Sequence, residues 1–152
     1  MDYQTLGTST AKVSRIAIGC MRMADLDVKE AEDLVCHAAE KGINCFDHAD
    51  IYGGGSCEKI FGEVLKKNPG MRDSIFLQSK CGIIPGKCYN NSADYIISAT
   101  EGILSRLGTD YLDMLLIHRP DALVEPEEVA EAFDKLYAQG KVRNFGVSNH
   151  SS

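Results

Sequence analysis

No apolar run in the 152 residues approaches the ~18 residues of a membrane-spanning helix, and no apolar stretch follows a basic N-terminal start. The expectation is a chain with neither a membrane span nor a signal peptide. Positive charge is the scarcer sign: 16 Lys and Arg stand against 22 Asp and Glu, a net charge of −6. Nucleic acid and anionic membrane both require a basic face, so both partner classes are set aside. An anionic cofactor is not, since it needs only a local cluster of donors. No two of Cys20, Cys36, Cys45, Cys57, Cys81 and Cys88 stand in C-x-x-C spacing, which argues against a zinc or dithiol site. His37 and His48 have no ligand-like spacing to the cysteines, so no metal is expected. Several cysteines sit in apolar runs, as Cys45 does beside Phe46, and read as reduced thiols of a cytoplasmic protein. Nor is there low complexity. An apolar fraction of 44% with 25% charged residues is that of one ordinary globular domain over 1–152.

What is present is an alternation. Residues 2–14 read as two short strands around a Gly-Thr-Ser-Thr turn, and 15–18 as a strand ending at Gly19. A helix begins near Asp27, an N-cap with Glu30 at the capping-box position. Its stripe is Val28, Ala31, Leu34, Val35 and Ala38, and Gly42 stops it. A strand at 43–46 follows. Ser56 caps a second helix with Ile60, Phe61, Val64 and Leu65 inward, and 74–79 is a strand. Ser92 caps a third helix with Ile96, Ala99, Thr100, Ile103 and Leu107 inward, ended by Gly108. After a strand at 112–117, Pro126 opens a fourth helix. Its stripe is Val129, Ala130, Phe133, Leu136 and Tyr137, and Gly140 ends it before a strand at 142–147. The central strands are continuous apolar runs, which suits a parallel sheet covered by helices. Right-handed crossovers then allow an open doubly wound sheet or a barrel, and periodicity does not choose.

Polar residues gather just after the strands: Asp47, Asp50 and Tyr52, then Lys80, then His118 and Arg119, then Ser148, Asn149 and His150. In a parallel α/β protein these ends share one rim, where ligands bind. An ammonium at Lys80 beside the Tyr52 phenol would stabilise phenolate, so Tyr52 would give a proton to a carbonyl oxygen near neutral pH. Asp47 would hold the ammonium, and His118 would donate a hydrogen bond that orients the carbonyl. A hydride must come from elsewhere, and nicotinamide is the usual source. Gly53, Gly54 and Gly55 lack a following Gly-Lys-Ser/Thr and read as a flexible loop rather than a phosphate cradle. Arg119 reads as an ion-pair partner of Asp121 or a structural residue rather than a binder of an acidic substrate.

Five motifs, in order along the chain, resemble the aldo-keto reductase family. They are LGTSTAKVS at 6–14 followed by IAIG at 16–19, GINCFDHADIYG at 42–53, Ser79-Lys80, LLIHRP at 115–120, and GKVRNFGVSN at 140–149. The resemblance implies an α/β fold of (β/α)₈ TIM-barrel type with an N-terminal β-hairpin. It implies NADPH as cofactor, with NADH an alternative, and reduction of aldehydes or ketones to alcohols. It makes Asp47, Tyr52, Lys80 and His118 the catalytic set. Ser148 and Asn149 would hold the nicotinamide carboxamide, Asp47 would border it, and Gly19, Cys20 and Met21 would lie near its ribose or pyrophosphate.

A full barrel takes about 250 residues, whereas these residues supply five strands and four crossover helices. The expectation is a truncated barrel holding the nicotinamide half of the site, inactive or weakly active alone. Two unpaired sheet edges and an apolar inner face would favour self-association or pairing with a C-terminal half. The competing reading is a non-catalytic half-barrel that binds partners through those edges.

Overall fold

The structure, a computed structural model, describes residues 1–7 and 9–151; within the expected turn at 7–10, Thr8 lies outside the described residues. Strands β1 (Tyr3–Thr5) and β2 (Lys12–Ser14) form the antiparallel N-terminal hairpin. The main sheet is β3 (Ala17–Gly19), β4 (Cys45–Asp47), β5 (Phe76–Cys81), β8 (Met114–Ile117) and β9 (Phe145–Val147), all parallel. A small hairpin, β6 (Ile83–Ile84) with β7 (Cys88–Tyr89), follows β5. The helices are α1 (Val28–Glu40), α2 (Ser56–Lys67), the single turn α3 (Met71–Ser74), α4 (Ala93–Leu107) and α5 (Pro126–Ala138).

The spatial order of the parallel strands is their chain order and never reverses. A doubly wound sheet reverses at a switch point; this sheet does not. The long helices pack in one row, α1 on α2, α2 on α4 and α4 on α5. The sheet is therefore an arc of a singly wound barrel, which settles the choice that periodicity left open.

The arc's helix-facing side is the core. Phe46, Leu77, Leu115 and Phe61 are fully buried there with Ile96, Ile103, Leu107 and Leu136. Each such side chain contributes about 1.5–3 kcal/mol by leaving water. The expected Asp27 capping box is present, Asp27 Oδ1 accepting from Glu30 N–H at 2.8 Å and Glu30 Oε2 from Asp27 N–H at 2.9 Å. Gly108 closes α4 at φ 63°.

Three expectations need correction. Ser56 is the first residue of α2, not its cap; Gly55 at φ 89° precedes it, a backbone conformation that suits glycine. Leu34 and Tyr137 are exposed, at 42% and 65%, and Ala130 is exposed too. They lie on α1 and α5, the end helices of the row, each packed on one other long helix among the described residues, so part of each apolar stripe stays open to solvent. Finally, the concave face opposite the helices is only partly apolar, with Leu116 of β8 level with Lys80 and an apolar lower tier. There Val13 of the hairpin packs on Cys45 and Phe76, with Met114 beside them. Above that tier the same face carries Asp47, Gln78 and Lys80.

Between α2 and α4 the backbones nearly touch. A Cβ at Gly62 would stand 2.5 Å from the Arg106 carbonyl oxygen. Gly62→Ala should therefore lower stability by about 1–3 kcal/mol, read as a lower urea midpoint. The exposed neighbour change Glu63→Ala should stay within about 0.5 kcal/mol. Equal midpoints for both variants would contradict the close approach.

Candidate active site

Strand alternation builds the site. In β5, Gln78 and Lys80 face the concave side while Leu77, Ser79 and Cys81 face the helices, because side chains alternate across a strand. Asp47 is the register partner of Gln78 on the adjacent strand, so three polar groups meet. The Lys80 ammonium lies 2.7 Å from Asp47 Oδ1 and 2.8 Å from Oδ2. It also donates to the His48 carbonyl at 2.8 Å and to the Tyr52 hydroxyl oxygen at 3.2 Å. Gln78 Nε2 donates to Asp47 Oδ1 at 2.6 Å. Lys80 is only 6% exposed; a charge so buried is tolerable only when paired and hydrogen-bonded.

Tyr52 sits in a short 3₁₀ turn, Tyr52–Gly55, between β4 and α2. His118 follows β8, its N–H bonded to the Cys81 carbonyl at 2.9 Å. The Tyr52 and His118 rings meet edge-on, centroids 6.1 Å apart at 83°. His118 is buried, and its Nδ1 has no partner among the described residues. Burial chiefly, with the positive charges of Lys80 and Arg119, pushes its pKa down from the usual imidazole value, against the pull of Asp47. The ring is therefore neutral near pH 7 and has one N–H to donate.

At the next strand end, Ser148 N–H bonds the Ile117 carbonyl at 2.9 Å. Asn149 adopts φ 63°, and its Nδ2 donates to the His118 carbonyl at 3.1 Å and to Ser148 Oγ at 2.9 Å. Those bonds occupy the amide nitrogen and leave Oδ1 as an acceptor. Asp47, Tyr52, Lys80, His118, Ser148 and Asn149 thus share one rim. Gly19 stands on the same rim, with nothing within 4 Å of the place a Cβ would take. Cys20 points the other way: it is 1% exposed and packed in the helix-side core, where burial pushes its thiol pKa up. Only its backbone is available to a ligand. Met21 is exposed.

Other candidates fare differently. Asp121 accepts from Leu123 N–H at 3.0 Å, and no Arg119–Asp121 bridge occurs among the described residues, so that expected pair is not formed. Asp50 is turned to the helix side, where burial and nearby Glu58 push its pKa up to about 7. Sequence reasoning missed Gln78, although its i, i+2 relation to Lys80 was visible. It also missed Glu58, a carboxylate on the apolar stripe of α2 one turn before Phe61.

His48 follows Asp47 but faces the core. Its ring is fully buried against Phe61, centroids 4.7 Å apart, and neither ring nitrogen has a partner among the described residues. Burial first, and Lys80 second, push its pKa from 6.5 down to about 3. The unfolded imidazole takes up a proton that the folded one refuses. Stability should therefore fall as pH drops from about 6.5 toward 3, by up to ~1.4 kcal/mol per unit from this group. His48→Leu should remove that share of the slope between pH 7 and 4.5 in urea unfolding; an unchanged slope would contradict the assignment.

A family model described as "Aldo/keto reductase family" matches residues 15–152. Oxidoreductase YcsN of Bacillus subtilis is 48% identical over 147 residues, covering 90% of this chain and 49% of the relative. The 6-dehydroglucose reductase of Novosphingobium aromaticivorans is 43% identical over 155 residues, covering 97% of this chain and 51% of the relative. The solved structure of aldo-keto reductase AKR11C1 from Bacillus halodurans, in its holo form, superposes with a TM-score of 0.87 at 35% identity. That match covers 97% of this chain and 50% of the other. The chain spans about half the length of the relatives it matches.

Proposed function

The chain belongs to the aldo/keto reductase family, and from that we propose that it serves the reduction of small aldehyde or ketone substrates to alcohols with a nicotinamide nucleotide, Tyr52 being the proton donor. The observation that carries this reading is one ammonium shared by two groups. Lys80 lies within 2.8 Å of both Asp47 oxygens and 3.2 Å from the Tyr52 oxygen. As Tyr52 releases its proton to a carbonyl oxygen, the developing phenolate meets a cation already in place, held there by Asp47. His118, neutral and edge-on to Tyr52, donates to the same carbonyl oxygen and orients it.

NADPH, with NADH as the alternative, supplies the hydride when bound. The residues present fit its nicotinamide end. Asn149 Oδ1 and Ser148 suit a carboxamide, and Asp47 borders the same space. The open ground at Gly19, with the backbone of Cys20 and the exposed Met21, suits the ribose or pyrophosphate. Phosphate contacts of the adenosine end are charge-assisted bonds worth roughly 1.5–3 kcal/mol each. The loss of two or three of them would weaken binding by a factor on the order of 10³, so this stretch alone is inactive or weakly active.

A second reading concerns partners. Strands β3 and β9 have no outer neighbour among the described residues, and Ile16, Met21 and Val147 are exposed beside them. Open edges with apolar flanks favour self-association or pairing with a C-terminal half. All six cysteines are free, which supports a reducing, cytoplasmic setting. Among the described residues no helix is long and apolar enough to cross a membrane.

Fluorescence titration with NADPH should give saturable but weak binding, and no response up to millimolar would exclude cofactor binding by this chain. Where carbonyl-dependent NADPH oxidation is measurable, Tyr52→Phe should reduce it by at least about 10²-fold. Unchanged turnover would overturn the proton-donor role.

A further inference from the structure

On the helix side of the sheet lies an ion pair that the proposed chemistry does not use, its carboxylate fully buried and its arginine about a quarter exposed. Glu58 on α2 is 0% exposed. Its Oε2 accepts from Arg106 Nε at 2.7 Å, and its Oε1 accepts from Ser79 Oγ at 2.8 Å. Ser79 stands between Gln78 and Lys80, whose side chains emerge on the other face and both reach Asp47. One carboxylate thus ties α4 to the β5 residue beside the site's ammonium.

The other arm reaches the turn that carries Tyr52. Gly53, Gly54 and Gly55 have φ values of 57°, 60° and 89°. Three successive left-handed glycines have no side chains of their own to hold them, and glycine has the most conformational freedom to lose. Arg106 lies against this turn: a Cβ at Gly55 would come within 2.8 Å of its Cδ and 3.0 Å of its Nε. The Arg106 side chain also borders a cavity of about 360 Å³ with Asp50, Ile51 and Gly54, all from the segment around Tyr52.

We propose that the Glu58–Arg106 pair is a positioning device: from the helix side it holds the Tyr52 turn and β5 in register, so that Tyr52 stays against Lys80 and His118. Buried ion pairs add little net stability over apolar residues of like size, and their best-attested use is to specify one arrangement. This inference deepens the reading of Tyr52 as proton donor and supplies the means by which a glycine turn keeps a phenol within 3.2 Å of an ammonium.

Two NMR contacts test it on the chain as it stands. One is the nuclear Overhauser effect between the Tyr52 and His118 rings, the other that between the Phe46 and Phe61 rings, centroids 5.3 Å apart in the core. Changing Arg106 alone would strand the buried Glu58 charge, so the variant is the double change Glu58→Leu with Arg106→Met. The expected result is loss of the Tyr52–His118 effect with the Phe46–Phe61 effect kept. Retention of both overturns the proposal. Loss of both makes the pair a prop of the whole fold and equally overturns it, unless Ser79→Ala, which keeps the charges paired and cuts only the link to β5, gives the selective loss. Neither contact needs cofactor or carbonyl, so a chain without reductase activity is still informative, and Tyr52→Phe turnover tests the proton-donor reading separately.

Discussion

The Lys80 ammonium is the constraint around which the site is arranged. It is almost wholly buried, and a buried cation without partners would lose far more in desolvation than any one contact returns. Asp47, the His48 carbonyl and the Tyr52 hydroxyl oxygen satisfy it together. Each partner comes from β4 or the turn after it, so the pairing of β4 with β5 and the course of that turn are bound to one charge. Gln78 then satisfies an Asp47 oxygen from the neighbouring strand, which adds a third polar group to the concave face beside Asp47 and Lys80.

The strand period makes this two-sided. Residues 76–81 place Leu77 and Cys81 in the helix-side core and Gln78 and Lys80 on the concave face. Core and site are thus alternate residues of one strand, and neither moves without the other. Ser79 is the informative exception: it faces the helices yet is polar, and it hydrogen-bonds to Glu58, a carboxylate also bonded to Arg106. The sheet carries ionic groups on both sides of the same strand, with Ser79 and Lys80 as sequence neighbours.

The row of helices explains what remains uncovered. Leu34 on α1 and Tyr137 on α5 are placed by their periodicity on apolar stripes, yet both are exposed, because each belongs to an end helix that packs on one other long helix among the described residues. The same two ends of the arc carry the edges β3 and β9, unpaired among the described residues. Exposed stripe and exposed edge therefore coincide, and any further strand or second chain that closed the edge would lie beside the uncovered residues.

Much was legible in the linear order. Hydrophobic period marked four long helices and the strands between them, the capping box of Asp27 and Glu30 was read outright, and the polar residues after successive strands marked a shared rim. Local signals suffice there because helix period, caps and strand ends depend on residues a few positions apart. The chain order of the sheet, the edge-on meeting of Tyr52 with His118, the placing of Cys20 in the core and the tie from Glu58 to Ser79 and Arg106 were settled only in three dimensions. Each joins residues far apart in sequence, and no short window records which strand lies beside which or which side of the sheet a side chain faces.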